Sequence, residues 1–268
     1  MPASRTAQGV ARARGMMMRP APASGDAAGE ERLNADLAAE LAVEPPDPDK
    51  PSGAGMFEYL TGRTQFFDRA VMDAIARGVT QIVIAGAGYD GRALRFRADG
   101  VRFFELDLPA TQDDKRARLA RLDVVSDDIT FVPVDLADRD TAARLASAGH
   151  DEKRPSLFVC EGLLLYLEQP VVEALFGAFR ARAAPGSTLA LSLGLRDHGG
   201  GPLATARRAA FRRRLVRIGE PPRTRLTRAE WEGLLAATGW AIESTADPHA
   251  PGRQGLGGGS LLVAAGPS

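Results

Sequence analysis

The stretch over residues 81–107 constrains this chain more than any other. It reads QIVIAGAGYDGRALRFRADGVRFFELD. Ile82, Val83, Ile84 and Ala85 form an apolar run that enters Gly86-Ala87-Gly88-Tyr89-Asp90-Gly91 directly. A segment able to form a short helix follows, then a second apolar run over 101–106 with acids at its end. Strand, glycine turn, helix, strand and acid, in that order, open a nucleotide-binding α/β unit. A turn without side chains lets backbone N–H groups come close to a nucleotide. Gly86, Gly88 and Gly91 satisfy G-x-G-x-x-G, with acids about twenty residues on, so more than one nucleotide cofactor fits.

The same alternation continues along the chain. Apolar strands are expected at 80–85, 101–106, 129–134, 156–160 and 188–193, with helices at 110–122, 138–147 and 170–183 between them. This pattern gives an α/β fold, Rossmann-like and doubly wound, with a mostly parallel sheet. The strands are short and nearly all apolar, so both faces should be covered. Thr227 and Glu230 form a capping box for a helix over 227–238. Two last strands, 240–245 and 260–265, have no further helix after them. They are expected to pair as an antiparallel hairpin that completes seven strands.

Ahead of the sheet, helices are expected at 6–18, at 31–43 (Leu33, Leu37 and Leu41 at helical spacing) and at 56–77 (Phe66, Phe67, Ala70, Val71, Ala74 and Ile75). Pro45-Pro46-Asp47-Pro48 and Pro51-Ser52-Gly53 mark a loop. The chain therefore divides into a partly flexible helical cap, 1–55, and a nucleotide-binding domain, 56–268.

Composition narrows the partners. Hydrophobic residues make up 44% and the formal net charge is zero, so no global field favours nucleic acid or an anionic membrane. Cys160 is the single cysteine, which excludes an intramolecular disulfide and a cysteine zinc site. A reducing, cytoplasmic setting fits best. The first 25 residues carry arginines and no acids, as transit peptides do, but no apolar run approaches the ~20 residues of a membrane span. The expected partner is a small-molecule substrate, with no resident metal. Oligomeric state is not legible.

Three strand ends carry the candidate side-chain chemistry. Glu105 and Asp107 close strand two on the same face, and either carboxylate can accept two ribose hydroxyls. Asp135-Leu136 closes strand three. In SAM (S-adenosyl-L-methionine) enzymes an acid there accepts the adenine amine and the apolar residue packs on the ring. NAD enzymes make no such demand. A helix N-cap role for Asp135 is compatible with this. Glu161 follows strand four inside the apolar run Cys160-Glu161-Gly162-Leu163-Leu164-Leu165-Tyr166, where it needs a partner; a sulfonium or amino group would serve. Cys160, Trp231 and Trp240 read as core. His198 is the best-placed histidine for a base, whereas His150 and His249 read as solvated loop residues. Arg207, Arg208, Arg212, Arg213, Arg214 and Arg217 read as a solvated helix face, with an acidic substrate as the alternative.

Residues 63–193 resemble the bacterial branch of the leucine carboxyl methyltransferase family, SAM-dependent methyltransferases common in actinobacteria. The matching pieces are Arg63-Thr64-Gln65-Phe66-Phe67-Asp68, the turn through Arg92, Phe104-Glu105-Leu106-Asp107-Leu108-Pro109, Lys115, Val134-Asp135-Leu136 and Glu161-Gly162-Leu163-Leu164-Leu165-Tyr166-Leu167. The resemblance implies the class I methyltransferase fold with SAM as cofactor. Arg63 then pairs with the methionine carboxylate of SAM. Gly86, with Gly88 in the same turn, meets the cofactor. Asp107, rather than Glu105, holds the ribose, and Asp135 and Leu136 hold the adenine. Glu161 lies near the amino group, and Tyr166 faces the methyl or the substrate. Residues 6–14 resemble the family's opening helix, which covers the site, so Arg14 is placed to reach the cofactor or a substrate carboxylate. Leu33 and Asp36 resemble its next motif. The chain departs from the pattern in an insert-like stretch, 16–29, and in Gly91, where the family usually has Thr or Ser; glycine is permissive there, and Gly91 reads as incidental to the NAD-like spacing.

The expected activity is O-methylation of a small-molecule carboxylate or hydroxyl. A carboxylate acceptor needs no base, whereas a hydroxyl does. The rivals are an NAD-dependent oxidoreductase, which Arg63 and Asp135-Leu136 oppose, and a SAM-binding regulator without catalysis.

Overall fold

The structure is a computed structural model that describes residues 5–40, 51–196, 213, 216, 221–248 and 260–268. His198, His249, most of the expected arginine-rich helix and most of the loop after residue 246 lie outside the described residues.

Seven strands form one sheet in the order β3-β2-β1-β4-β5-β7-β6. They are β1 (Gln81–Ala85), β2 (Arg102–Asp107), β3 (Ile129–Pro133), β4 (Ser156–Cys160), β5 (Thr188–Gly194), β6 (Trp240–Ala246) and β7 (Ser260–Pro267). The first five are parallel. As expected, β6 and β7 are antiparallel, and β7 lies between β5 and β6. The expected strand ends are met within one or two residues.

The described helices are α1 (Arg5–Gly15), α2 (Ala27–Glu40), α3 (Pro51–Ala76), α4 (Arg92–Arg95), α5 (Pro109–Arg121), α6 (Thr141–Ser147), α7 (Gln169–Arg180) and α8 (Arg228–Ala237). Pro51, expected in a loop, begins α3 instead, because proline is tolerated in a first helical turn. α4 is a single turn, and the helix expected over 138–147 is broken. A 3-10 turn, Leu136–Asp138, is followed by left-handed Arg139 before α6 starts. The capping box of α8 is present, with Glu230 N–H donating to Thr227 Oγ1 (3.2 Å) and Thr227 N–H to Glu230 Oε2 (2.7 Å).

Strand alternation divides the core into two faces. Val83, Phe104, Phe158, Leu189 and Leu191 pack with Phe176 and Phe179 of α7 and Trp231 of α8. Ile82, Ile84, Phe103, Leu157 and Ala190 pack with Phe67 and Val71 of α3, Leu94 of α4 and Leu119 of α5. Ala11 of α1 and Leu33 and Leu37 of α2 join this second face. Trp231 donates to Gly194 O (3.0 Å) and Trp240 to Phe176 O (3.1 Å), so both indoles are buried with their polar edge satisfied. Among the described residues no helix is long and apolar enough to cross a membrane.

His150 corrects the sequence reading: it is 3% exposed rather than solvated. Its ring lies 3.0 Å from Ser156 Oγ and packs between Phe104 and Phe158. Burial, and then the Arg182 guanidinium, push its pKa down from 6.5 to about 4. The folded chain therefore holds the neutral ring, while the unfolded chain takes up a proton below 6.5. Stability owed to this residue is full above that pH and is lost as pH falls towards 4. The melting temperature should drop across this window more in the wild type than in His150→Gln. Parallel curves for the two proteins would contradict this account.

Candidate functional site

Because β1 to β5 are parallel, their carboxyl ends form one rim. Ala85 pairs with Leu106 and Asp107 with Pro133, so Gly86, Leu108, Val134 and Glu161 leave the sheet close together. Gly86 and Gly88 have φ of +59° and +50°, the left-handed region that glycine adopts at least cost. Packing adds a demand, since a Cβ on Gly86 would lie 2.7 Å from Leu163 Cδ1. Gly91 has a packing reason of its own. Its φ is ordinary, but a Cβ there would lie 2.2 Å from Glu30 Cγ. The α2 carboxylate requires the missing side chain.

The two acids of β2 are distinguished by depth. Glu105 is 1% exposed and paired with Lys115 Nζ at 2.6 Å. That ammonium also donates to Asp90 O (2.6 Å) and so braces the glycine turn. Asp107 is half-buried at the rim. Its Oδ2 accepts Gly88 N–H and its Oδ1 accepts Leu108 N–H, both at 2.7 Å. Burial raises its pKa, and hydrogen bonds from the two N–H groups and from the Thr111 side chain only partly offset this. A carboxylate has about four acceptor sites, so capacity for a further donor remains. Asp135 is exposed and caps the 3-10 turn through Ala137 N–H (2.9 Å), while Leu136 beside it is buried. Capping engages only Oδ1.

Glu161 lies at the centre of a buried charge cluster. Its Oε2 accepts from Arg14 Nη2 (2.8 Å) and Arg92 Nη1 (2.6 Å), and its Oε1 from Arg63 Nε (2.9 Å). The sequence reading supposed a ligand cation as its partner; three guanidiniums fill that role within the chain. Burial would raise this carboxyl's pKa, but Arg14, Arg92 and Arg63 hold it well below the usual range. Arg92 is fully buried and donates to Asp68 (2.7 Å), Asp90 (2.6 Å) and Thr64 O (3.3 Å) as well. Arg14 also meets Asp90 at 3.1 Å, and its Nε is buried without a hydrogen-bond partner. Tyr166 lies in a 3-10 turn, Leu164–Tyr166, with a half-buried ring.

The cluster extends into the stretch read as an insert. Arg19 binds Asp68 through Nε (2.7 Å) and Glu30 through Nη1 (2.5 Å), and Arg95 also binds Glu30. Sequence reasoning assigned no role to Asp68, Asp90 or Arg92, although all three fall in matched motif pieces. Arg19 and Glu30 carried no signal, because their partners are distant in sequence.

Residues 9–180 match the model of the leucine carboxyl methyltransferase family. The chain belongs to this family. It is 42% identical over 137 residues to a provisionally named SAM-dependent methyltransferase of Streptomyces avermitilis, covering 50% of this chain and 48% of that one. A relative from Frankia alni with the same provisional name is 37% identical over 200 residues, 71% of this chain and 68% of that one. The chain spans about half the length of most of the curated relatives it matches. Among solved structures, a protein from Streptomyces avermitilis superimposes with a TM-score of 0.64 at 15% identity, covering 99% of this chain and 98% of that one. The magnesium protoporphyrin IX methyltransferase of Synechocystis, solved with S-adenosylhomocysteine, gives 0.53 at 14% identity, covering 91% and 96%. At such identities the likeness is one of fold, and the fold of this family member is that of class I methyltransferases.

Arg92→Met leaves Asp68, Asp90 and Glu161 each short of a partner and should cost about 3–5 kcal/mol in urea unfolding. Gly91→Ala should cost roughly 1–3 kcal/mol through the Glu30 contact. An unchanged urea midpoint in either variant would refute the corresponding packing argument.

Proposed function

We propose that this chain is a SAM-dependent methyltransferase that O-methylates a small-molecule carboxylate or hydroxyl. The observation that carries the reading is the rim. A half-buried carboxylate, Asp107, stands over the Gly88 N–H, with the exposed Asp135 beside the buried Leu136 one strand away. This donor and acceptor set suits an adenosyl group. Asp107 has lone pairs for both ribose hydroxyls, Asp135 has a second oxygen for the adenine amine, and Leu136 offers an apolar edge. Glu105, tied to Lys115, is spent on bracing the turn. Gly86 and Gly88 admit the cofactor's backbone-facing edge. Arg63 and Glu161 take the carboxylate and amino group of its methionine arm.

The cofactor, when bound, supplies an electrophilic methyl group on a sulfonium. The chain's own contribution is positioning and exclusion of water. Arg14, with Nε still lacking an acceptor, orients an anionic acceptor. Tyr166 borders the path of the methyl group. The helices α1 and α2 of the cap cover this end of the sheet. Zero net charge favours a small-molecule partner over nucleic acid or a membrane, and the single cysteine is consistent with a cytoplasmic enzyme.

Calorimetry with S-adenosylhomocysteine and with NAD tests the cofactor. Binding of NAD alone would overturn the reading. A methyl-transfer screen on cell extract, read by mass spectrometry, tests catalysis, and binding without any methylated product favours a regulator. Asp107→Ala should weaken S-adenosylhomocysteine binding by about tenfold to a hundredfold, the loss of charge-assisted hydrogen bonds of roughly 1.5–3 kcal/mol. Unchanged affinity would remove the ribose from Asp107.

A further inference from the structure

Arg63 and Glu161 satisfy one another across the space where the proposed function puts a ligand's amino-acid arm. The two ends of this pair are unequally held. Glu161 Oε2 is fixed by Arg14 and Arg92, which Asp90 and Asp68 hold in turn. Its Oε1 has Arg63 Nε as its hydrogen-bond donor (2.9 Å). Arg63 enters from α3 and has the most exposed side chain of the three arginines, 9% against 5% for Arg14 and 0% for Arg92. Its guanidinium also meets Tyr59, through a side-chain hydrogen bond and with the ring centre at 5.4 Å, a partner it can keep when it leaves Glu161. Gly162, at φ +65°, leaves room beside it, since a Cβ there would come within 3.2 Å of Arg63 Nη1.

We propose that the Arg63–Glu161 pair is an ionic latch, with Glu161 as the fixed post and Arg63 as the moving arm, that opens only for a ligand carrying both a carboxylate and an ammonium. The inference rests on the methyltransferase reading of the site. A zwitterionic arm exchanges one neutral set of pairings for another. Its carboxylate takes Arg63 from Glu161, and its ammonium takes Oε1 from Arg63. A ligand with a single charged end parts the pair and leaves either Glu161 Oε1 or the Arg63 Nε–H without its hydrogen-bond partner in a buried site, which is costly. A ligand with no charged end leaves the pair closed. The consequence is a ranking that simple addition of contacts does not give.

The test is calorimetric binding to the full chain of four adenosyl thioethers that differ only in the chain on sulfur. These are S-adenosylhomocysteine, its decarboxylated aminopropyl analogue, its deaminated thiobutyrate analogue, and the uncharged propyl analogue. S-adenosylhomocysteine should bind most tightly. Each one-ended analogue should bind about tenfold more weakly than the propyl analogue, because it leaves one end of the buried Arg63–Glu161 hydrogen bond unpaired. A second variant guards against loss of folding. In Arg63→Gln the latch is gone and Oε1 is available, so the aminopropyl analogue should bind more tightly than it does to the wild type. A misfolded protein cannot produce that gain. If each charged end adds affinity stepwise over the propyl analogue, or if Arg63→Gln shows no gain, the latch is refuted while the adenosyl site stands. If none of the four ligands binds, the methyltransferase reading fails and the latch fails with it.

Discussion

A carboxylate can be buried behind an apolar strand only if cations meet it there, and Glu161 depends on that condition. Stripping water from one carboxylate costs several kcal/mol, and Arg14, Arg63 and Arg92 together offset it. Three cations in one place create the opposite difficulty, which Asp90 and Asp68 relieve. Arg92 joins both halves of this arrangement. Its planar fork reaches Asp68 of α3, Asp90 of the glycine turn and Glu161 beyond β4 at once, which a lysine's point charge cannot do. Arg92 and Arg14 thereby both tie the glycine turn to the end of β4, beside the β1–β4 pairing of the sheet.

The same chain of charges makes the N-terminal region part of the domain's core. From Glu161 the contacts run through Arg92 and Asp68 to Arg19, and from there through Glu30 to Arg95. Glu30 meets Gly91 so closely that no side chain fits between them. α1 and α2 therefore cover the rim by polar contacts above and by apolar ones below, through Ala11, Leu33 and Leu37. A second set of pairs repeats the device at the side: Asp36 of α2 meets Arg118 and Arg121 of α5 at 2.7 and 2.6 Å. Geometry of this kind confers specificity of placement, because an ion displaced from its partner in low dielectric is penalised more heavily than a displaced methyl group.

The depth of a residue below the rim separates support from contact. Glu105 and Lys115, two positions inward, neutralise one another and hold Asp90 O. Asp107 and Asp135, at the rim, keep acceptor capacity towards solvent. Two acids of one strand on one face thus have different duties, and their distance from the sheet's end decides which.

Much of this was legible in the sequence. Short, nearly all-apolar runs located the five parallel strands, because a strand buried on both faces admits few polar residues, and the two stretches after α8 located the last pair. The motif residues Gly86, Asp107, Asp135 and Glu161 were each placed at a strand end, and the structure sets them along one rim, where Arg63 of α3 meets Glu161. Local chemistry also named the α8 capping box. What the sequence could not state was pairing between charges far apart in the chain. Glu161 announced a need for a cation, but its three arginines lie 147, 98 and 69 residues away. Gly91 read as a permissive substitute for the family's Thr or Ser; the approach of Glu30, from a helix far earlier in the chain, is what leaves no room for a side chain there. His150 read as a loop residue because its burial comes from Phe104 and Phe158 of neighbouring strands. Periodicity and strand-end chemistry are properties of adjacent residues, so the sequence determined the sheet and its rim by itself. Partner choice among buried ions depends on which elements the sheet brings together, so tertiary structure alone decided it.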